Sequence, residues 1–277
     1  MCRLFGFRSL IPSQVHRSLV SADNALAVQS KQHPDGWGVV YYADDIPHVI
    51  KHSLGASDDQ LFERVCSKIA SETVVAHVRK ATHGDVNVLN CHPFQFGPWV
   101  FAHNGQIPDY ANHEAALLGH VLPKWRRYIL GDTDSEVIFY VFLTELSKLA
   151  DIHAKDVPME SVKKALTNTL QLILSLIAPE SEEDPLKMSV IVTNGHMLMS
   201  LCWKTSLFFS THKTRCLDRD TCPFLSEVCE SPARDGKVNH FLVSSETLQG
   251  DNVWNEMSTG QVVGIDPEMC LYHSVVD

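Results

Sequence analysis

Cys2 follows Met1 directly in the opening Met1-Cys2-Arg3-Leu4-Phe5-Gly6. Removal of Met1 would leave one residue carrying both a thiol and a free α-amine. The amine has a reference pKa of about 7.7–8.0 and a free thiol about 8.5. The amine can therefore take the thiol proton near neutral pH, directly or through a water, an established way of activating a nucleophile. A cysteine at position 2 says little alone, because most such residues are packing or surface thiols. Its weight depends on what the rest of the chain offers a substrate.

Four further segments bear on that. His77-Val78-Arg79-Lys80-Ala81-Thr82-His83-Gly84 leaves a strand-like run carrying Arg79, Thr82 and His83. An arginine there can grip a carboxylate through two parallel hydrogen bonds, or can pair with a local acid at the surface. His103-Asn104-Gly105 follows a second strand-like run. An Asn amide beside a Gly N–H can form an oxyanion hole, while Asn-Gly is also a common turn pair. Gly131-Asp132-Thr133-Asp134-Ser135-Glu136 precedes the strongest helical pattern. N-capping accounts for such residues, and a carboxylate on that turn can also hold an ammonium group. His33-Pro34-Asp35-Gly36-Trp37-Gly38 reads as structural, a turn into a strand with Trp37 in the core.

The elements that must position these residues follow from periodicity. Strands are expected at 2–8, 36–42, 47–51, 73–79 and 98–103. Val15, Leu19, Ala22, Leu26 and Ala27 recur at helical spacing, and 58–70 reads as a helix. Strong helices are expected at 134–149 and 159–177. Ser181-Glu182-Glu183-Asp184-Pro185 reads as a solvated acidic loop. Strands return at 188–193, 197–203, 206–211, 239–244, 261–265 and 269–274, with an irregular excursion at 213–236. Strands, then helices, then strands imply a layered α+β domain with antiparallel sheets rather than a βαβ wind.

The chain has 277 residues, enough for a buried core, and is 44% hydrophobic and 20% charged. A net charge of −10 argues against a nucleic-acid surface. The eight cysteines form no CxxC pair or tight metal-ligand spacing, so neither a metal nor a disulfide framework is expected. The start lacks the apolar core of a signal peptide, and no run long enough to span a membrane occurs. A reduced, cytoplasmic chain without a cofactor is the expectation, formed as a single domain over residues 2–277.

Together, Cys2, Arg-x-x-Thr-His-Gly, His-Asn-Gly and Asp-Ser-Glu, in that order and spacing, resemble the class II glutamine amidotransferase domain, a branch of the N-terminal-nucleophile hydrolases. The match runs from Cys2 to about Glu136 and weakens beyond. The opening Cys-Arg-Leu-Phe-Gly and the His-x-Asp-Gly-Trp-Gly segment look like the family's standalone branch, which includes γ-glutamyl hydrolases of ergothioneine synthesis and glutathione degradation. Lys80 stands where some branches carry Trp. Residues 137–277 are too short, and too continuous with the sheet pattern, to hold a synthetase, isomerase or phosphoribosyltransferase domain.

The resemblance implies a four-layer αββα sandwich, with two antiparallel sheets between helix layers. It implies Cys2 as nucleophile, and Asn104 and Gly105 as the oxyanion hole. Arg79 would hold the substrate α-carboxylate, with Thr82 and His83 shaping the same pocket, and Asp134 would hold the α-ammonium. The implied reaction is hydrolysis of a γ-glutamyl amide through a thioester on Cys2. Competing expectations are a glutaminase subunit that passes ammonia to a separate synthetase, an amidase of another N-terminal-cysteine family, and an idle regulatory or scaffold subunit. A partner subunit or homo-oligomer fits the first and last of these.

Overall fold

The computed structural model describes residues 2–178, 183–233 and 235–276. The first part of the chain runs β1 (Arg3–Gln14), α1 (Leu26–Gln29), β2 (Trp37–Ala43), β3 (Ile46–His52), α2 (Gln60–Cys66) and β4 (Ala70–Val78). It continues through β5 (Phe94–Phe96), β6 (Trp99–Gln106), α3 (Tyr110–His120), α4 (Pro123–Arg126), α5 (Asp134–Ser147) and α6 (Met159–Leu176). The remainder is β7 (Lys187–Thr193), β8 (Leu198–Trp203), β9 (Phe208–Ser210), β10 (His240–Ser244), β11 (Asn255–Glu256), β12 (Gln261–Ile265) and β13 (Leu271–Val275).

The strands form two antiparallel sheets. The first is ordered β11-β9-β10-β1-β4-β2-β3 and the second β13-β12-β8-β7-β6-β5. Three apolar clusters separate four layers. Leu4, Val40, Val75, Val100, Ala102 and Ile191 fill the space between the sheets. Phe5, Trp37, Val39, Phe62 and Val78 pack the outer face of the first sheet against α1 and α2. Phe101, Phe139, Phe142, Leu166 and Val190 pack the second sheet against α5 and α6. This is the expected αββα sandwich.

α5 is apolar nearly all round, and twelve of its fourteen residues are buried. A helix of that kind belongs to the interior rather than the surface. Each large apolar side chain it buries is worth about 1.5–3 kcal/mol, so its first turn is anchored to a rigid body. Thr133 caps it, accepting from the Glu136 N–H at 3.3 Å.

Several boundaries depart from the sequence reading. The helical spacing over Val15–Ala27 does not give one helix. It breaks into a π-helical turn at Arg17–Ser21, α1, and a 3-10 turn at Ser30–Gln32. Ala22 is extended, and the Asn24 side chain bonds the Thr247 carbonyl and the Gln249 N–H across the chain instead of supporting a helix. β1 runs to Gln14, well past residue 8, with its register against β4 shifting between Arg8 and Ser13. α3 had no sequence expectation, and only Tyr110 and Leu117 of it are buried. Of the acidic loop, residues 181 and 182 lie outside the described residues.

Candidate active site

The two-residue alternation of the strands decides which side chains face the space between the sheets. Leu4 of β1 and Val75 of β4 point there. The same parity extended to the strand ends carries Cys2, His77 and Arg79 to that side. On β6, Val100 and Ala102 face the sheet interface, and Asn104 shares their parity. His103, of opposite parity, turns toward α5.

Cys2 lies against the end of β4. The Lys80 N–H donates to its sulfur at 3.3 Å, and the thiol lies 3.3 Å from the Lys80 carbonyl. Burial pushes the Cys2 thiol above its ordinary pKa. The Lys80 N–H and the Arg79 charge pull it down, and the Asp134 charge pushes it up. Burial dominates, so the resting sulfur is protonated at neutral pH and needs a base to become a nucleophile.

Arg79 is 2% exposed. Its guanidinium donates to three carbonyls of the following loop: Asp85 at 2.9 Å, His83 at 2.8 Å and Gly84 at 3.2 Å. Among the described residues no carboxylate pairs with it. The loop therefore fixes the orientation of the cation and leaves its charge uncompensated. This rules out the bland reading of Arg79 as a surface residue paired with a local acid. His83 contributes its carbonyl to that loop, and its ring lies 5.9 Å from Tyr110. Thr82 is exposed and is not drawn in.

The His-Asn-Gly segment does not follow a strand as expected. It lies inside β6, where Asn104 pairs with Ser189 and Gly105 with Met188 of β7. The turn reading of Asn-Gly is thereby overturned. A Cβ at Gly105 would stand 1.8 Å from the Lys187 carbonyl, so glycine is what lets β7 close on β6 there. Asn104 is 3% exposed, and its Oδ1 is buried without a partner among the described residues. An unpaired buried carbonyl oxygen is costly, and this one is available to a donor.

Asp134 is the first residue of α5 and is buried. Capping falls to Thr133, which frees the Asp134 carboxylate. Its Oδ2 accepts from the Ile107 N–H at 2.9 Å, just beyond β6, and its Oδ1 from the Ser135 hydroxyl at 3.2 Å. Glu136 serves the preceding turn, accepting from the Gly131 N–H at 2.7 Å.

The segment His33–Gly38 is structural, as expected, but it also braces the site. Asp35 Oδ2 accepts from the Ala81 N–H at 2.8 Å, and the Arg79 N–H donates to the Gly36 carbonyl at 2.8 Å. These bonds hold the chain on both sides of Lys80. Sequence reasoning did not find Asp35, although an acid preceding Gly-Trp-Gly at the start of a strand was the available signal. Behind the site lie His77 and His92, with ring centroids 4.3 Å apart, and all four of their ring nitrogens are buried without hydrogen-bond partners among the described residues. Burial holds both well below the ordinary imidazole pKa.

Two of the cavities on the described surface bear on the site. One, of about 380 Å³, is lined by His83, Gln106, Ile107, Tyr110, Asn112 and Asp184. It adjoins the Ile107–Asp134 bond. The larger, of about 560 Å³, is lined by Leu10, Arg17, Lys213, Phe224 and His240 at the far end of β1, away from Cys2. Its size does not make it the reactive site. Among the described residues no three His, Cys, Asp or Glu side chains are arranged to hold a metal ion, and no helix is long and apolar enough to cross a membrane.

Comparison with known proteins agrees with this fold. The family model described as "Glutamine amidotransferases class-II" matches residues 1–269. A Saccharomyces cerevisiae chain described as "Probable glutamine amidotransferase DUG3" is 27% identical over 308 residues, spanning all of this chain and 85% of that one. The Escherichia coli protein YafJ is 24% identical over 273 residues, covering 94% of this chain and 96% of its own. Among solved structures, a class-II domain protein from Silicibacter pomeroyi superposes with a TM-score of 0.66 at 18% identity, over the full length of both chains. Glutamine phosphoribosylpyrophosphate amidotransferase from Bacillus subtilis gives 0.61 at 15% identity, with 49% of that chain covered. The thiol at position 2, the sandwich that surrounds it and the match over nearly the whole chain agree: this chain belongs to the class II glutamine amidotransferases.

Proposed function

We propose that the chain hydrolyses a γ-glutamyl amide, glutamine or a larger γ-glutamyl compound, through a thioester on Cys2. One observation carries the reading. Among the described residues, Arg79 is a buried cation without a carboxylate partner and Asp134 a buried carboxylate without a cation partner, and both charges act on the Cys2 thiol. That is the charge pattern an α-amino acid would neutralise. Buried charges are expected to be paired, and an α-carboxylate and α-ammonium would complete both pairs.

The mechanism requires that Met1 be removed, which the small side chain of Cys2 favours. The α-amine then takes the thiol proton, and the thiolate attacks the γ-carbonyl. The amide of Asn104 and the N–H of Gly105 receive the oxyanion. The α-ammonium returns its proton to the leaving nitrogen as the C–N bond breaks, leaving a γ-glutamyl thioester. Water, deprotonated by the same amine, attacks the thioester and releases glutamate and the Cys2 thiol.

Glutamate release from a series of γ-glutamyl amides, glutathione included, tests the proposal on the isolated chain with Met1 absent. Release that depends on Cys2 supports it. Release only with a second protein added would indicate an ammonia-delivering subunit instead, and none under any condition would leave a scaffold.

A further inference from the structure

We propose that His103 is a positioning residue for the Asp134 carboxylate, acting through the Ser135 hydroxyl, and that this relay sets selectivity for a substrate bearing an α-ammonium. It rests on the reading of Asp134 as the ammonium site.

The hydrogen-bond chain has a defined direction. Ser135 Oγ lies 3.2 Å from Asp134 Oδ1 and 2.8 Å from His103 Nδ1. A hydroxyl carries one proton, and the carboxylate is the stronger claimant. The bond to His103 must then be donated by the ring, so His103 holds its proton on Nδ1. Its Nε2 is left bare. That nitrogen is buried without a well-aligned partner among the described residues, and the Lys187 carbonyl near it, like the Asp134 charge, opposes the lowering of the His103 pKa.

The relay has a mechanical consequence. The terminal torsion of an aspartate is broad and nearly two-fold, so one donor does not fix the plane of its carboxylate. Asp134 has one donor on each oxygen, Ile107 N–H on Oδ2 and Ser135 Oγ on Oδ1. The pair locks the plane and leaves further lone pairs for an ammonium. His103 also stays neutral, because burial lowers its pKa against the opposing pull of Asp134. An imidazolium there would compete for the charge that the ammonium needs. His103 precedes Asn104 in β6, so a single strand carries both the oxyanion amide and the support of the ammonium site.

The test compares L-glutamine with its des-amino analogue, glutaramate, in the wild-type chain, Ser135→Ala, His103→Phe and His103→Asn. Loss of a hydrogen bond that orients a charged group should raise KM for glutamine about tenfold or more. kcat should stay within about threefold, and kcat/KM for glutaramate should not change. Discrimination between the two substrates therefore shrinks in Ser135→Ala and His103→Phe. His103→Asn, whose side-chain N–H can stand in for Nδ1–H, should restore it. Equal losses for both substrates would assign His103 to the oxyanion strand or to folding and overturn the relay, as would unchanged discrimination in Ser135→Ala. Should His103→Phe fail to fold, Ser135→Ala removes only a hydroxyl and carries the test. If the wild-type chain hydrolyses neither compound, the functional reading fails first. Calorimetry with L-glutamate and glutarate on the same variants then tests the relay by itself, and an unchanged preference for L-glutamate in Ser135→Ala overturns it.

Discussion

The Asp35 carboxylate accepts the Ala81 N–H at 2.8 Å, across 46 residues of chain. The bond braces the backbone next to Lys80, the residue that holds the Cys2 sulfur on both sides. Asp35→Ala should therefore lower kcat/KM without any contact between Asp35 and substrate. It should also cost about 1–3 kcal/mol of stability, the usual cost of a hydrogen bond to a charged group. Denaturant melts paired with glutaminase assays check both. Full activity in a destabilised Asp35→Ala would show that the brace does not reach Cys2.

All eight cysteines are free, yet only Cys2 should react with a glutamine-like electrophile. Burial pushes Cys66 up to about 12 and raises Cys91 and Cys202 as well. Lys51 Nζ does lie beside Cys91, donating to its carbonyl at 2.7 Å, but burial outweighs its pull on that thiol. Peptide mapping after alkylation should show label on Cys2 alone, and Cys2→Ala should abolish turnover while substrate still binds. Equal labelling of Cys66 and Cys2 would count against a single activated thiol.

Asn104 and Arg79 should separate in steady-state kinetics. On the proposed mechanism Asn104→Ala removes an oxyanion donor, and it should lower kcat about a hundredfold. Arg79→Lys keeps a charge but cannot reproduce the fork held by the His83, Gly84 and Asp85 carbonyls. It should act on KM, by about tenfold or more. If both variants change the two parameters equally, the roles are misassigned.

Acid should weaken the fold before the carboxylates titrate. Burial keeps His77 and His92 neutral well below the ordinary imidazole pKa, and lowers His240 to about 3. Above about pH 6.5 these residues are neutral in both the folded and unfolded chain and contribute no slope. Below it the unfolded chain takes up protons that the folded chain refuses, so stability falls with pH. Each such histidine contributes about 1.4 kcal/mol per pH unit. Melting temperatures between pH 7 and 5.5 should fall, and His92→Leu should flatten the slope. A pH-independent melting temperature over that range would refute the buried neutral set.

The sequence showed the fold class more clearly than the element ends. α5 and α6 were legible because their apolar periods are long and strong. They end at Ser147 and Leu176, within two residues of expectation. α3 was not legible, since two buried residues in eleven leave almost no pattern. Asn104 and Gly105 were placed after a strand although they lie within β6, because Asn-Gly usually marks a turn. Only the approach of Lys187 from β7, more than eighty residues later in sequence, shows why glycine sits inside β6. The bracing by Asp35 was invisible for the same reason. Its partner, Ala81, has no side-chain chemistry to flag.

The alternation that sends Cys2, Arg79 and Asn104 to one side has a consequence for how the chain tolerates change. β1 lies between β4 and β10, and moving a strand by one position exchanges its two faces. Deleting a single residue from β1 near Phe5 would therefore turn the thiol toward the helix layer and away from Arg79. The length of this strand is under tighter constraint than its composition. Glutamate release doubles as a readout of whether β1 has docked in frame, and partially active misfolded forms should be rare among insertion and deletion variants of residues 3–8.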